Sequence, residues 1–83
     1  MDRQHGHCRF TTKTSRDDVE GWIALDLYRL RFGTTSHAAR VVYWDADRQL
    51  SLETYDGDVW VVILEELIAG ARQVDWRRSA PTT

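Results

Sequence analysis

The chain has 83 residues, of which 42% are hydrophobic and 29% charged, and its net charge is −2. This composition is typical of one globular domain, and no stretch approaches the roughly 20 apolar residues of a membrane span. The single cysteine, Cys8, excludes an intrachain disulfide and favours a reducing compartment, so we predict a cytoplasmic protein. Residues 1–40 carry seven basic and five acidic groups, whereas residues 41–83 carry four and eight. Nucleic-acid binding needs clustered positive charge and is therefore not predicted.

The first 33 residues predict a tail followed by a helix. Residues 1–13 have little pattern, so we expect a flexible tail or at most a short edge strand. Ser15 followed by two acids is typical of a helix start, and Gly33 is a helix stop. Between them the apolar residues recur at helical spacing, which predicts a helix from Asp17 to Phe32. A strand over residues 22–32 is the alternative, and it groups Trp22, Ala24, Asp26, Tyr28 and Leu30 on one side.

The block from Arg40 to Leu64 predicts a three-stranded antiparallel meander. Asp56-Gly57 is a strong hairpin signal because a type I′ turn needs positive φ at both central positions. Counting outward from it pairs Thr54 with Val59. The earlier turn, at residues 45–48, pairs Trp44 with Gln49 whether its loop has two residues or four. By the same register Arg40 and Glu53 are cross-strand neighbours.

A short C-terminal helix follows Leu64, since Leu64, Leu67, Ile68 and Ala71 fit one helical face and Gly70 weakens it. Val74 and Trp76 are candidates to tuck back onto the domain, and residues 77–83 are expected to be a flexible tail. The predicted fold class is therefore α+β in a single domain. It comprises an N-terminal helix, a three-stranded antiparallel β-meander and a short C-terminal helix.

Side chains alternate across a strand, so the predicted meander has two distinct faces. One face is apolar and is the predicted core. The other mixes large aromatic residues with polar ones, and its candidate binding residues are Val42, Trp44, Glu53, Tyr55, Trp60 and Val62. The C-terminal helix or Trp76 would cover this second face within the monomer. Otherwise it is a surface for a partner, because Trp and Tyr often anchor interfaces.

Three other groups of residues are of types that occur in catalytic or metal sites. His5, His7 and Cys8 are ligand types for zinc, but they lie in the predicted tail with only His37 to complete a set. The acid pairs Asp45/Asp47 and Asp56/Asp58 lie in turns at opposite ends of one strand, about 20 Å apart, and are typical of turns. Asp26, between apolar neighbours, must be paired or protonated if buried. We predict no catalytic residue, metal or cofactor.

The leading functional hypothesis is a non-enzymatic protein-binding module that acts as a homodimer, packed sheet to sheet, or as a small adaptor or inhibitor. The alternative is a small-molecule-binding protein or minor enzyme with an aromatic-walled pocket. In that alternative, tryptophans with Glu53 or Asp26 would hold a cationic or planar ligand. A third hypothesis, nucleic-acid binding through Arg29, Arg31 and Arg40, has the weakest support in the charge pattern.

Overall fold

The computed structural model describes residues 1–55, 57–74 and 76. These residues form five strands and one α-helix: β1 (Asp2–His5), β2 (Cys8–Asp17), β3 (Trp22–Arg31), β4 (Thr34–Trp44), β5 (Gln49–Thr54) and α1 (Val61–Gln73). The strands make one antiparallel sheet in the order β1-β2-β3-β4-β5, so each strand pairs with its neighbour in sequence. The fold is thus a five-stranded meander followed by a helix, and the predicted class with an N-terminal helix and three strands is wrong.

Two of the hairpin turns owe their shape to glycine. Gly6, with φ +60°, is the first of two residues between β1 and β2, which is the position where a type II′ turn requires glycine. Phe32 and Gly33, with φ +49° and +78°, are the two residues between β3 and β4, as in a type I′ turn. Gly33 therefore reverses a hairpin, although the sequence indicated that it ends a helix.

The predicted helix from Asp17 to Phe32 is replaced by strand β3 and the turn before it. Oδ1 of Asp17 accepts hydrogen bonds of 2.9 Å from the backbone N–H groups of both Val19 and Glu20. The acid that was interpreted as part of a helix start therefore caps a turn. Beyond the turn, β3 is the central strand and has buried residues on both sides, such as Ile23 and Ala24. Apolar residues on both faces of a strand hide its period of two, and this is why helical spacing fitted the sequence.

The predicted third strand of the meander, after Asp56-Gly57, is also wrong. Asp56 itself lies outside the described residues. Residues 58–60 have no regular structure, and the run that was expected to pair with β5 begins α1 at Val61. A strand here would extend the sheet but leave its apolar face open to water. The helix instead buries Ile63, Leu67 and Ala71 against that face, so burial outweighs the strand preference of β-branched residues.

The helix α1 packs on only one side of the sheet, here called the covered face. Its central sheet residues, Phe10, Ile23, Leu27, Val41 and Tyr43, form one buried cluster with the three buried helix residues and Trp76. The ring of Trp76 stacks on Tyr43 at a centroid distance of 5.8 Å, and its Nε1 donates to the carbonyl of Ala71. The predicted C-terminal helix is thus present but begins earlier than expected. Residues 77–83, the predicted C-terminal tail, lie outside the described residues.

The predicted register of the hairpin formed by β4 and β5 is confirmed. Trp44 pairs with Gln49, and Arg40 pairs with Glu53. The loop between the strands has four residues, and the last of them, Arg48, has φ +54°. At the other end of the chain, the residues expected to be a tail lie in β1 and the first half of β2.

Candidate binding surface

The side of the sheet opposite α1 has no helix or strand packed on it in the part of the chain that the structure describes. We call it the open face. Alternation along β2 to β5 places on it four rows that run across the strands. The aromatic row is Thr11, Tyr28, His37 and Tyr55; the charged row is Lys13, Asp26, Arg40 and Glu53; the small row is Ser15, Ala24, Val42 and Ser51; the tryptophan row is Asp17, Trp22, Trp44 and Gln49.

Asp26 lies at the centre of the open face and is only 1% exposed. Its carboxylate accepts a hydrogen bond of 2.6 Å from Nε of Arg40 and one of 2.5 Å from the hydroxyl of Ser15. These donors come from the two strands that flank β3, one on each side. A buried carboxylate is costly unless it is paired and hydrogen-bonded, and Asp26 meets both conditions.

The pKa of Asp26 lies below its ordinary value. Burial alone would raise this pKa, but the hydrogen bonds from Arg40 and Ser15, together with the charges of Arg40 and His37, outweigh burial. The same pair raises the pKa of the Arg40 guanidinium, chiefly through its hydrogen bond to Asp26. Both groups are therefore ionised at neutral pH and form a charged pair in the surface.

A β-bulge brings His37 onto the open face. Leu27 pairs with Ala39 but Tyr28 pairs with His37, so Ala38 is an extra residue in β4. Without it, strict alternation would direct His37 toward α1, since Ala39 lies on the covered face. Bulges commonly re-aim a side chain in this way. Ala38 itself is fully buried in the core cluster.

The imidazole of His37 lies between two tyrosines, with ring centroids 5.0 Å from Tyr28 and 4.7 Å from Tyr55. Its Nε2 is 2.9 Å from Oδ1 of Asp26, yet the two atoms are not aligned for a hydrogen bond. The contact is an ion pair when the ring is protonated. The hydroxyl of Tyr55 donates to the carboxylate of Glu53; burial, with Glu53 next, raises the pKa of this phenol.

Long side chains on the open face lie over short ones. The guanidinium of Arg40 is 4.8 Å from the ring centroid of Trp22, a cation–π geometry, and Trp44 donates a 3.3 Å hydrogen bond to Ser51. Beneath them Ala24 is fully buried and Val42 is 2% exposed. The tryptophans themselves stay partly exposed, so the face presents aromatic surface that is held in place by its neighbours.

Four of the six predicted binding residues, Val42, Trp44, Glu53 and Tyr55, share the open face. The other two do not, because the segment after Asp56 is not a strand. Trp60 precedes α1, is 50% exposed and has its ring centroid 4.0 Å from that of His5. Val62 lies in the first turn of α1.

The sequence interpretation missed three members of the open face, namely Trp22, Tyr28 and His37, whereas it placed Arg40 beside Glu53 correctly. Trp22 and Tyr28 were grouped with Asp26 by the strand alternative for residues 22–32, so strand alternation was the signal that would have found them. His37 carried no such signal, because its position depends on the bulge.

The serine and the histidine of the open face do not form a nucleophile–base pair. Ser15 and His37 both contact Asp26, so the carboxylate separates the hydroxyl from the imidazole. A serine nucleophile needs the base beside its own hydroxyl. Among the described residues, no group of three or more His, Cys, Asp or Glu side chains is placed to hold a metal ion.

A small cleft lies elsewhere, on the covered side of the sheet before α1. It has a volume of about 90 Å³ and is lined by Cys8, Phe10, Arg29, Arg31, Asp58 and Trp60. Arg29 is already engaged, since it donates a 2.9 Å hydrogen bond to the backbone carbonyl of Asp58. Pockets for small molecules are commonly about 300–1,000 Å³, so this cleft is small for one.

No protein-family model, curated protein or solved structure matches this chain. No helix in the described part of the chain is both long and apolar enough to cross a membrane.

Proposed function

We propose that this chain is a non-enzymatic protein-binding module and that the open face is its recognition surface. The observation that carries the proposal is the one-sided covering of the sheet. An antiparallel sheet with one solvated face is expected to be polar on that face. Here the uncovered face instead carries Trp22, Trp44, Tyr28 and Tyr55, all partly exposed.

The residue types and their rigidity support recognition of a protein. Trp, Tyr and Arg are the residues that contribute most often to binding hot spots. Arg40 is held by Asp26 and stacked on Trp22, and Tyr55 is held by Glu53. Side chains that are already ordered lose less conformational entropy when a partner docks, and this lowers the cost of association.

The alternative, a small-molecule site that uses Asp26 or Glu53 to hold a cationic ligand, has less support. Asp26 is buried and already paired with Arg40, and Glu53 accepts the hydroxyl of Tyr55. A cation would have to displace these contacts. The binding-module proposal uses the same residues without breaking any bond.

The proposal is tested with two tryptophan variants and one matched control. Trp44→Ser and Trp22→Ser remove aromatic surface from the open face, whereas Trp60→Ser removes an exposed tryptophan from the opposite side of the molecule. Association is measured twice, as solution mass by light scattering and as proteins retained by the immobilised chain. We expect both open-face variants to weaken association at least tenfold and Trp60→Ser to leave it unchanged. Association that is equal in all three variants would remove the open face as the binding surface.

A further inference from the structure

The partner of the open face can be argued from the charged row, and this inference rests on the proposed function. Lys13 pairs with Asp26, Asp26 with Arg40, and Arg40 with Glu53 across four adjacent strands. All four side chains lie on the open face, so the row alternates in sign as plus, minus, plus, minus. The two central members form the buried ion pair, and the two outer members are exposed.

We infer that the partner is a second copy of this chain, stacked open face to open face about a two-fold axis. The axis runs parallel to the strands and passes between β3 and β4. This rotation reverses each row onto itself. Lys13 then faces Glu53 of the second copy, and Asp26 faces Arg40 of the second copy, so that every facing pair in the row has opposite charges. A row with charges of one sign, or with the pattern plus, minus, minus, plus, would bring like charges together.

In the other rows, the same two-fold rotation also brings together side chains of compatible size and type. In the tryptophan row, Trp22 faces Trp44 of the second copy. In the small row, Ala24 faces Val42, which brings the two backbones close where both side chains are short. In the aromatic row, Tyr28 faces His37. Stacked sheets lie about 10 Å apart and cross at about 30°, so contacts are closest in the two central rows and looser at the corners.

The resulting interface has the composition expected of a protein–protein contact. Along the two strands next to the axis, β3 and β4, it would contain aromatic and small apolar side chains and a charge pair that each copy has already neutralised. The two exposed charges of the row, Lys13 and Glu53, lie at the rim on β2 and β5. Rim charges contribute orientation and specificity more than affinity, and this is the role that the alternating row would have.

The open face is somewhat smaller than a standard protein–protein interface. Four strands about 4.8 Å apart and four rows about 6.8 Å apart give a flat footprint of roughly 500 Å² per copy, before side-chain relief is added. A standard interface buries about 800 Å² of accessible surface per partner. Because interface area does not fix the affinity, the mass measurements should span a wide range of concentration, from about 1 to 500 µM.

The decisive experiment is a charge exchange between two single variants. In a dimer of the Lys13→Glu variant, each introduced carboxylate faces Glu53 of the other copy, so two like-charge pairs form. In a dimer of the Glu53→Lys variant, each introduced ammonium group faces Lys13 of the other copy, which again gives two like-charge pairs. Each variant alone should dimerise at least tenfold more weakly than the wild type. Mixed in equal amounts, the two variants should form a heterodimer, because the carboxylate introduced at position 13 then faces the ammonium group introduced at position 53, and the unchanged Glu53 faces the unchanged Lys13, so both rim pairs have opposite charges. Arg72→Glu, an exposed charge reversal on α1, is the control and should leave dimerisation unchanged.

Circular dichroism of each variant establishes that the fold is intact, and the mixing step is a second test of folding. Two chains that failed to fold would not recover association when mixed. Sedimentation equilibrium should give a mass near 9.7 kDa for each variant alone and near twice that for the mixture.

The outcomes separate this inference from the proposed function. A wild-type chain that stays monomeric to 500 µM, yet retains another protein in a Trp44-dependent way, would overturn the inference and leave the open face as a binding surface. A dimer that ignores both charge reversals and Trp44→Ser, but is lost in Leu52→Lys, assembles through the edge of β5 instead. That result would overturn the inference. Association insensitive to every open-face variant would overturn the proposed function as well.

Discussion

The two faces of the sheet reach the same degree of burial by different means. On the covered face, Leu27 is fully buried because α1 lies over the strands and packs Ile63 and Leu67 against them. On the open face, Ala24 and Asp26 are at most 1% exposed although no second layer is present in the described part of the chain. There, Trp22 and Arg40 lie across their shorter neighbours. The covered face is therefore held by apolar packing, and the open face by an ion pair, hydrogen bonds and stacking.

This difference predicts opposite responses to substitution. Truncating an apolar side chain on the covered face leaves a cavity in a two-layer core. On the open face, truncating a large aromatic side chain exposes a small surface to water, and only the loss of a charge partner is costly. Four measurements test the contrast.

The largest effect is expected from Leu67→Ala. Leu67 is fully buried and packs against the core cluster of the sheet. Removing its side chain should lower the free energy of unfolding by about 3 to 4 kcal/mol. Urea denaturation followed by tryptophan fluorescence measures this change. Val61→Ala, a truncation at a residue 68% exposed in the same helix, is the control and should cost under about 1 kcal/mol. Equal effects of the two variants would mean that α1 does not pack as described.

The next largest effect is expected from Asp26→Asn. The amide cannot carry the charge that pairs with Arg40, and so Arg40 is left without its counter-ion. Removing one partner of a buried pair costs about 3–5 kcal/mol, and Arg40 is partly exposed, so we expect about 2 to 3 kcal/mol. The same denaturation experiment measures it. Asp45→Asn, in the exposed β4–β5 loop, is a matched control and should be close to neutral. A stable Asp26→Asn variant would show that the ion pair is dispensable.

The pH dependence of the free energy of unfolding should distinguish the contribution of Asp26 from those of the other carboxylates. The folded pKa of Asp26 is lowered, so its contribution is complete above the unfolded value, near 3.8, and is lost as the pH falls toward the folded pKa. The wild type should therefore lose this stabilisation progressively as the pH falls below the unfolded value of 3.8. Asp2 also has a lowered pKa, chiefly because of its hydrogen bond from Arg9, so the wild-type curve alone is not specific. The difference between wild type and Asp26→Asn should shrink as the pH falls. A constant difference would contradict the assignment.

The smallest effect on stability is expected from Trp44→Ser, measured below the concentration at which the chain associates. Trp44 is partly exposed and makes one side-chain hydrogen bond, to Ser51. Its loss should cost about 1 kcal/mol or less, in contrast to the truncation of Leu67. A cost similar to that of Leu67→Ala would mean that the open face is part of the folding core rather than a surface for a partner.

Part of this architecture was predictable from local chemistry. The β4–β5 register followed from alternation on either side of residues 45–48, and that register correctly placed Val42, Trp44 and Glu53 on one face. Asp26 was correctly identified as a carboxylate that needs a partner if it is buried, and that partner is Arg40. The helix over residues 17–32 was wrong because β3 is buried on both faces, and a strand of that kind loses the alternation that identifies it.

The remaining errors have a different origin, since they concern contacts between distant parts of the chain. The run from Trp60 to Leu64 is compatible with a strand and with a helix, and its β-branched residues favour the strand. Its actual state depends on the apolar face that β2, β3 and β4 build together. Likewise, the β-bulge in β4 opposite Leu27 and Tyr28 determines on which face of the sheet His37 lies. Neither His37 nor its sequence neighbours carry a signal that predicts this bulge.

Local sequence was enough to predict the turn at residues 45–48 and the side-chain alternation on either side of it, because turn geometry and side-chain direction depend on a few adjacent residues. The tertiary structure alone decided that the segment after β5 forms a helix, that this helix covers one face, and that the other face gathers Trp22, Asp26, Arg40 and Trp44. The physical reason is that burial is a property of the whole sheet. A segment takes the conformation that removes the most apolar surface from water once the other strands are in place.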